Sequence, residues 1–276
     1  MLTLLAAVVQ MTSTAEVERN LDRAAQLCAR ARARGADLVV LPENFALLTP
    51  SEEEKLSYAE DLEGGGRGGI LRRMQQVART HGLHLFLGGL PERGPDPTRV
   101  YNTCIYLRPD GTIGAVYRKI HLFDVDLADG TVLRESARVA GGDPEQEGLA
   151  ETPWGVVGLS ICYDVRFPEL YRRLVRRGAR MLIVPSAFTL HTGKDHWHLL
   201  VRARAIENQC YVLAAAQQGR HGGNRTSYGH SLIVDPWGTV LVDCPDGEGV
   251  AVAELDMGRL ERIRQELPAL RHRRIF

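Results

Sequence analysis

Short, continuous apolar runs recur along this chain, and helically spaced stretches separate them. Leu2–Val9, Asp37–Leu41 and Leu83–Leu90 form one set, and Gly155–Ile161, Met181–Pro185 and Tyr211–Ala216 form a second. Runs without polar interruption are those of strands covered on both faces. Between the first two lies Glu16–Arg34, in which Val17, Leu21, Ala24, Leu27, Cys28 and Ala31 recur at helical intervals and Gly35 stops the pattern. Gly69–Thr80, Pro168–Arg177 and His196–Gln209 read as further helices, and Met257–Glu266 as a last one. Alternation of this kind predicts an α/β fold with parallel strands under helices. Hairpins flank the pattern: Val100–Leu107 and Thr112–Arg118 around Arg108-Pro-Asp-Gly111, then Gly229–Asp235 and Thr239–Val242 around Pro236-Trp-Gly238. Gly249–Leu255 reads as an edge strand. No low-complexity linker divides the 276 residues, so one domain over 1–276 is expected.

Composition narrows the classes of function. The formal net charge is zero, and no basic stripe with interleaved aromatics suggests a nucleic-acid partner. Arg30, Arg32 and Arg34 sit where a helix ends, where cations suit the dipole. The N-terminal apolar run lacks a preceding basic segment and is too short to span a bilayer, so it reads as a first buried strand and no membrane partner is expected. The cysteines at 28, 104, 162, 210 and 244 form no Cys-x-x-Cys pair, which points away from a metal or redox motif and toward a reducing compartment, the cytoplasm.

Three chemically capable side chains share one kind of position. Glu43 follows Leu38–Pro42, Lys119 follows Thr112–Arg118, and Cys162 follows Gly155–Ile161. Each lies just past the carboxyl end of a strand, where open α/β sheets build ligand crevices. Alone, each has an ordinary reading: a small core thiol, a loop carboxylate, a solvated amine. Together they supply a nucleophile, a base and a cation for a developing oxyanion. A cysteine–histidine pair is the competing arrangement. His121, His191, His196, His198, His221 and His230 are available, but their spacing matches no metal motif, and a structural or pocket role is expected of them.

Four segments, in order, carry a resemblance that covers nearly the whole chain: Leu41-Pro-Glu-Asn-Phe45, Tyr117-Arg-Lys-Ile-His-Leu122, Arg134-Glu-Ser136 and Ile161-Cys-Tyr-Asp-Val-Arg-Phe-Pro-Glu169. They are similar to the motifs of the nitrilase, or carbon–nitrogen hydrolase, superfamily. The resemblance implies a four-layer αββα sandwich and pairing into homodimers or higher oligomers. Pro168–Arg177 and Leu267–Phe276 are the segments expected at that interface. It implies Cys162 as nucleophile, Glu43 as general base, Lys119 as oxyanion stabiliser and Glu135 as a second carboxylate. Asp124, Asp126 and Asp129 compete for that last place, and the Glu-Ser pair before Gly141-Gly-Asp143 favours Glu135. The backbone N–H of Tyr163 is the expected second oxyanion donor. No metal and no organic cofactor are required. A retired, scaffold-like member would lack one of the four side chains, and all four are present.

Local segments narrow the amide. Trp197 and Val201–Val212 resemble the amidase branch, and Ala214–His221, Arg225–Ser231, Val234–Thr239 and His272-Arg-Arg274 are similar to the members that hydrolyse the amide of deaminated glutathione. That resemblance implies cleavage to 2-oxoglutarate and cysteinylglycine. ω-Amidases acting on 2-oxoglutaramate share the catalytic motifs but match Ala214–Ser231 less well. An anionic small-molecule substrate requires cations, and Arg166, Lys194, His198 and Arg225 are the candidates. Asp164 is placed to hold Arg166.

Overall fold

The computed structural model describes residues 3–49, 53–62, 69–126, 132–223 and 225–275, and in it the apolar runs become the inner strands of two sheets. In the first, Thr3–Gln10, Leu38–Val40 and His84–Arg93 are parallel, with Ala6 beside Leu38 and Leu38 beside His84. Gly249–Asp256 closes one edge antiparallel to Thr3–Gln10, while Val100–Leu107 and Ile113–Arg118 extend the other side as antiparallel strands. The second sheet repeats the plan. Gly155–Gly158, Ala179–Ile183 and Tyr211–Ala214 are parallel, flanked antiparallel by Leu149–Thr152 on one side and by Leu232–Val234 and Val240–Asp243 on the other.

Side-chain alternation along the strands assigns the layers. Leu4, Ala6 and Val8 join a core shared with Val157, Ile183 and Leu232 of the second sheet. Ala7 and Val9 face the other way, into a core shared with Leu21, Leu27, Leu71 and Met74 of the helices Val17–Ala33 and Gly69–His81. On the far side, Leu174 of Pro168–Arg176 and Trp197 and Val201 of Leu190–Asn208 cover the second sheet. The architecture is the four-layer αββα sandwich. No helix among the described residues is long and apolar enough to cross a membrane.

One helix begins earlier than expected. Leu190–Asn208 starts six residues before His196, because the Thr189 hydroxyl caps it by accepting from the Thr192 N–H. Its first turns, His191-Thr-Gly-Lys, have no apolar stripe; Gly193 is instead needed for space, since a Cβ there would lie 2.3 Å from Tyr228 Cβ. Two small hairpins, Asp124–Asp126 with Val132–Arg134 and Gln218–Arg220 with Thr226–Tyr228, stand outside the sheets.

The inner strand His84–Arg93 shifts register against its neighbour between Leu87 and Leu90. The two residues in that irregularity are Gly88 and Gly89, and both make room for the site. A Cβ on Gly88 would lie 2.3 Å from Pro185 Cβ and 2.4 Å from the Leu41 carbonyl oxygen, where the two sheets meet. Gly89 has φ +79°, and its Cβ would lie 2.6 Å from Asn102 Oδ1 and 3.1 Å from Glu43 Cγ. Gly88→Ala is therefore expected to destabilise the fold by about 3 kcal/mol in urea titration. A loss within about 0.5 kcal/mol, as for an ordinary surface change, would show that the bulge relaxes freely.

Candidate active site

Lys119 follows directly on the strand Ile113–Arg118 and is held by its backbone: its N–H donates to the Asn102 carbonyl at 2.9 Å and its carbonyl accepts from Gly142 at 2.9 Å. The side chain is 2% exposed, and its ammonium reaches Glu43 Oε1 at 3.0 Å and Glu135 Oε2 at 2.8 Å. Each carboxylate has a backbone partner too. Ala187 N–H donates to Glu43 Oε2 at 2.9 Å, and Phe123 N–H to Glu135 Oε2 at 2.7 Å. The Asn102 amide bridges them, donating to Glu43 Oε1 at 2.9 Å and to Glu135 Oε1 at 3.3 Å. Burial alone would lower the Lys119 pKa, but Glu135 and Glu43 outweigh it and hold it well above the usual lysine range. Burial likewise pushes the Glu135 carboxyl up, and Lys119 with Lys55 brings it below its ordinary value.

Cys162 stands at a sharp turn. Ile161 is extended, Cys162 has φ +47°, and a 3-10 turn Cys162–Arg166 leads to the helix beginning at Pro168. A non-glycine residue in that region is strained, and the surroundings must hold it there. Cys162 N–H donates to the Pro185 carbonyl at 2.8 Å. Asp164, fully buried, accepts from Ile161 N–H at 2.9 Å, from the Tyr117 hydroxyl at 2.7 Å and from His121 N–H at 3.2 Å, and lies 2.7 Å from His121 Nδ1. This corrects the expected Asp164–Arg166 pair: Asp164 braces the turn itself. The Arg166 guanidinium lies 5.1 Å from the Phe188 ring centroid, and its nitrogens are 3.4 Å from His196 Nδ1. Burial and the Glu43 charge push the Cys162 thiol far up, and Lys119 opposes only in part. These surroundings favour the neutral thiol over the thiolate.

Two adjoining clefts meet at Cys162. One is lined by Glu43, Lys119 and Glu135 with the cations Lys55, Arg134 and Arg225, and the other by Tyr163, Arg166, Phe188, Thr189 and Thr192. The structure thus brings together Glu43, Lys119, Glu135 and Cys162, with Tyr163, Arg166 and Arg225 beside them. It does not bring Lys194 or His198 into either cleft: Lys194 pairs with Asp195 at 3.5 Å, and His198 Nε2 lies 2.8 Å from Asp243. The helix turns that carry them point these side chains elsewhere than Thr192. Among the described residues no histidine lines these clefts. Of the competing acids, Asp124 accepts from Ser136 and Asp126 pairs with Arg134, while Asp129 lies outside the described residues.

Sequence reasoning missed Asn102, Lys55 and Arg134. Asn102 carried a signal: an amide side chain inside the mostly apolar run Val100–Leu107 requires partners when buried. Lys55 carried none, because the chain path alone brings its short helix, Glu54–Ser57, over Glu135.

The site is thus a buried thiol beside a carboxylate and a carboxylate-held ammonium, set where the strands of a four-layer α/β sandwich end. The carbon-nitrogen hydrolase family profile matches residues 5–265, and the chain belongs to that family. Deaminated glutathione amidase from Bos taurus is 46% identical over 273 residues, covering 98% of this chain and 82% of that one. The protein of the same name from Synechocystis sp. is 45% identical over 270 residues, covering 98% and 97%. A solved Saccharomyces cerevisiae structure, described as a member of branch 10 of the nitrilase superfamily, superposes with a TM-score of 0.87 at 34% identity, covering 99% of this chain and 97% of that one.

Next to Arg225 on the same loop, His221 is 3% exposed, and its Nδ1 donates to the Ser13 carbonyl at 2.9 Å. Burial, with a smaller contribution from Arg225, holds it down at about 4 against an ordinary 6.5. Between those values the unfolded chain binds a proton that the folded chain refuses. Stability is therefore present above about pH 6.5 and lost as pH falls through about 4, by about 3 kcal/mol in all. Urea titrations at pH 7 and pH 4.5 check this: the acid-induced loss is expected to shrink by about 2 kcal/mol in His221→Gln. An equal loss in both chains would exclude His221 as a source of acid sensitivity.

Proposed function

We propose that this chain is an amidase that hydrolyses the amide of deaminated glutathione to 2-oxoglutarate and cysteinylglycine, through a thioester on Cys162. The observation that carries this reading is the pair of clefts meeting at the sulfur, one with Arg225 and Lys55, the other with Arg166. Both products of that cleavage bear a carboxylate, so the substrate presents an anion on each side of the scissile amide. 2-Oxoglutaramate has one on the acyl side only. The names of the relatives described above support the same substrate.

As the Cys162 sulfur attacks the amide carbon, Glu43 takes the thiol proton, and the carbonyl electron pair moves onto oxygen. Lys119 Nζ and the Tyr163 N–H stabilise that oxyanion, and being fixed beforehand they need no reorganisation. Glu43 returns the proton to the nitrogen, the carbon–nitrogen bond breaks, and cysteinylglycine leaves. Water, deprotonated by Glu43, adds to the thioester; the intermediate collapses, the carbon–sulfur bond breaks, the sulfur takes the proton back from Glu43, and 2-oxoglutarate is released. Glu135 and Asn102 hold Lys119 and Glu43 in register. Binding to the chain requires no metal or organic cofactor in these steps. We place the protein in the cytoplasm, on the strength of five free, buried cysteines, and as a homodimer, with exposed Leu267 and Ile275 in the segment expected to pair.

Glu43→Gln is expected to lower turnover at least a hundredfold while the thermal melt stays cooperative. Activity within tenfold of the parent chain would remove Glu43 as the base. For the substrate, kcat/KM is compared between deaminated glutathione and 2-oxoglutaramate. Preference for the former supports the proposal, and preference for the latter replaces the substrate while keeping the chemistry. Arg225→Ala is expected to raise KM for deaminated glutathione about tenfold, as loss of one charge-assisted contact does. An unchanged KM would show that Arg225 does not read the substrate.

A further inference from the structure

The side chains of His198, His230 and Asp243 come from three separate elements and converge outside the clefts. His198 lies on the helix Leu190–Asn208, Asp243 ends the strand Val240–Asp243, and His230 precedes the strand Leu232–Val234. Asp243 turns one oxygen to each ring: Oδ2 is 2.8 Å from His198 Nε2, and Oδ1 is 3.0 Å from His230 Nδ1. The ligand atoms of all three residues lie within 4.8 Å of one another.

We propose that this cluster is a binding site for a divalent transition-metal ion, of which Zn²⁺ is the type. Two imidazoles and a carboxylate form a donor set that suits zinc, cobalt and nickel better than magnesium or calcium. Metal–ligand bonds of about 2.0–2.1 Å at tetrahedral angles separate donor atoms by about 3.3 Å, so small side-chain rotations bring these atoms onto one ion. Binding replaces the two ring–carboxylate contacts: each facing nitrogen presents its lone pair, and the remaining ring proton sits on the other nitrogen. The backbone is already committed to the arrangement. His230 is held at φ +57°, and its carbonyl accepts from the buried Trp197 indole at 2.8 Å. The rings stand 5.1 Å apart at 65°, so the nitrogens converge while the rings do not stack. The Tyr228 ring packs against His230, and Lys194 pairs with Asp195 on the helix that carries His198. The residues are about one third exposed, which leaves an ion a path from solvent and a fourth position for water. Such an ion fastens the helix that carries Thr192 to the strands behind it. It takes no part in amide hydrolysis.

The test uses the full chain carrying Cys162→Ser, so that the reactive thiol does not compete for metal. Zn²⁺ and Co²⁺ are titrated calorimetrically and by absorption. One equivalent is expected to bind per chain, with cobalt bands that lack a thiolate charge-transfer component. At a hundredfold excess over Kd the Tm is expected to rise by roughly 5 °C. His230→Ala and Asp243→Asn are each expected to weaken binding at least tenfold while the metal-free Tm stays within about 2 °C of the parent. His198→Gln serves the same purpose if either variant melts early. The proposal falls if the Cys162→Ser chain binds no metal saturably, if a thiolate band appears, or if these variants that melt like the parent bind as tightly.

Discussion

The ammonium of Lys119, buried between two carboxylates, is the interaction on which the rest of the site depends. A lone cation at 2% exposure is untenable, and two anions without it are equally so. The cluster holds because each carboxylate is satisfied a second time by a backbone N–H from a different part of the chain, Ala187 for Glu43 and Phe123 for Glu135. Ala187 follows the second sheet's strand Ala179–Ile183, and Glu43 follows the first sheet's strand Leu38–Val40. The charges therefore join the two sheets beside the clefts that meet at Cys162. The same cluster sets the surroundings of the thiol: burial and the adjacent Glu43 charge favour the neutral form of Cys162, and Lys119 opposes them in part.

Two backbone irregularities make that cluster possible. The shift at Gly88–Gly89 removes side-chain volume where the sheets approach and where Glu43 and Asn102 meet. The left-handed Cys162 turns the chain sharply, and Asp164 restrains the turn through Tyr117, His121 and Ile161. Strain of this kind persists only where surrounding contacts over-determine it, and here four hydrogen-bonding groups converge on one buried carboxylate.

Most of the inner strands and covering helices were legible from periodicity: runs such as Leu38–Leu41 and Tyr211–Ala214 read as strands covered on both faces, and the Val17–Ala33 stripe as an amphipathic helix. The helix Leu190–Asn208 was legible only from its middle onward, because a hydroxyl cap and a spatially required glycine begin it rather than an apolar pattern. Edge strands such as Leu149–Thr152 were not legible, since half-buried alternation over four residues resembles a loop. At the site, Glu43, Lys119 and Cys162 shared a recognisable position at strand ends. Arg166 and His198, by contrast, were named only as cations that an anionic substrate requires. Helical rotation carries Arg166 into a cleft and His198 away from it.

The sequence by itself determined an α/β fold of buried parallel strands under helices and placed Glu43, Lys119 and Cys162 at strand ends, because burial pattern and residue type are properties of the chain read locally. Tertiary structure alone decided which charges meet. Asn102 bridging two carboxylates, Lys55 standing over Glu135, Asp164 bracing a turn instead of an arginine, and two histidines converging on Asp243 all join residues far apart along the chain. Their contacts depend on sheet register, crossover path and side-chain direction, and no local pattern encodes those distances.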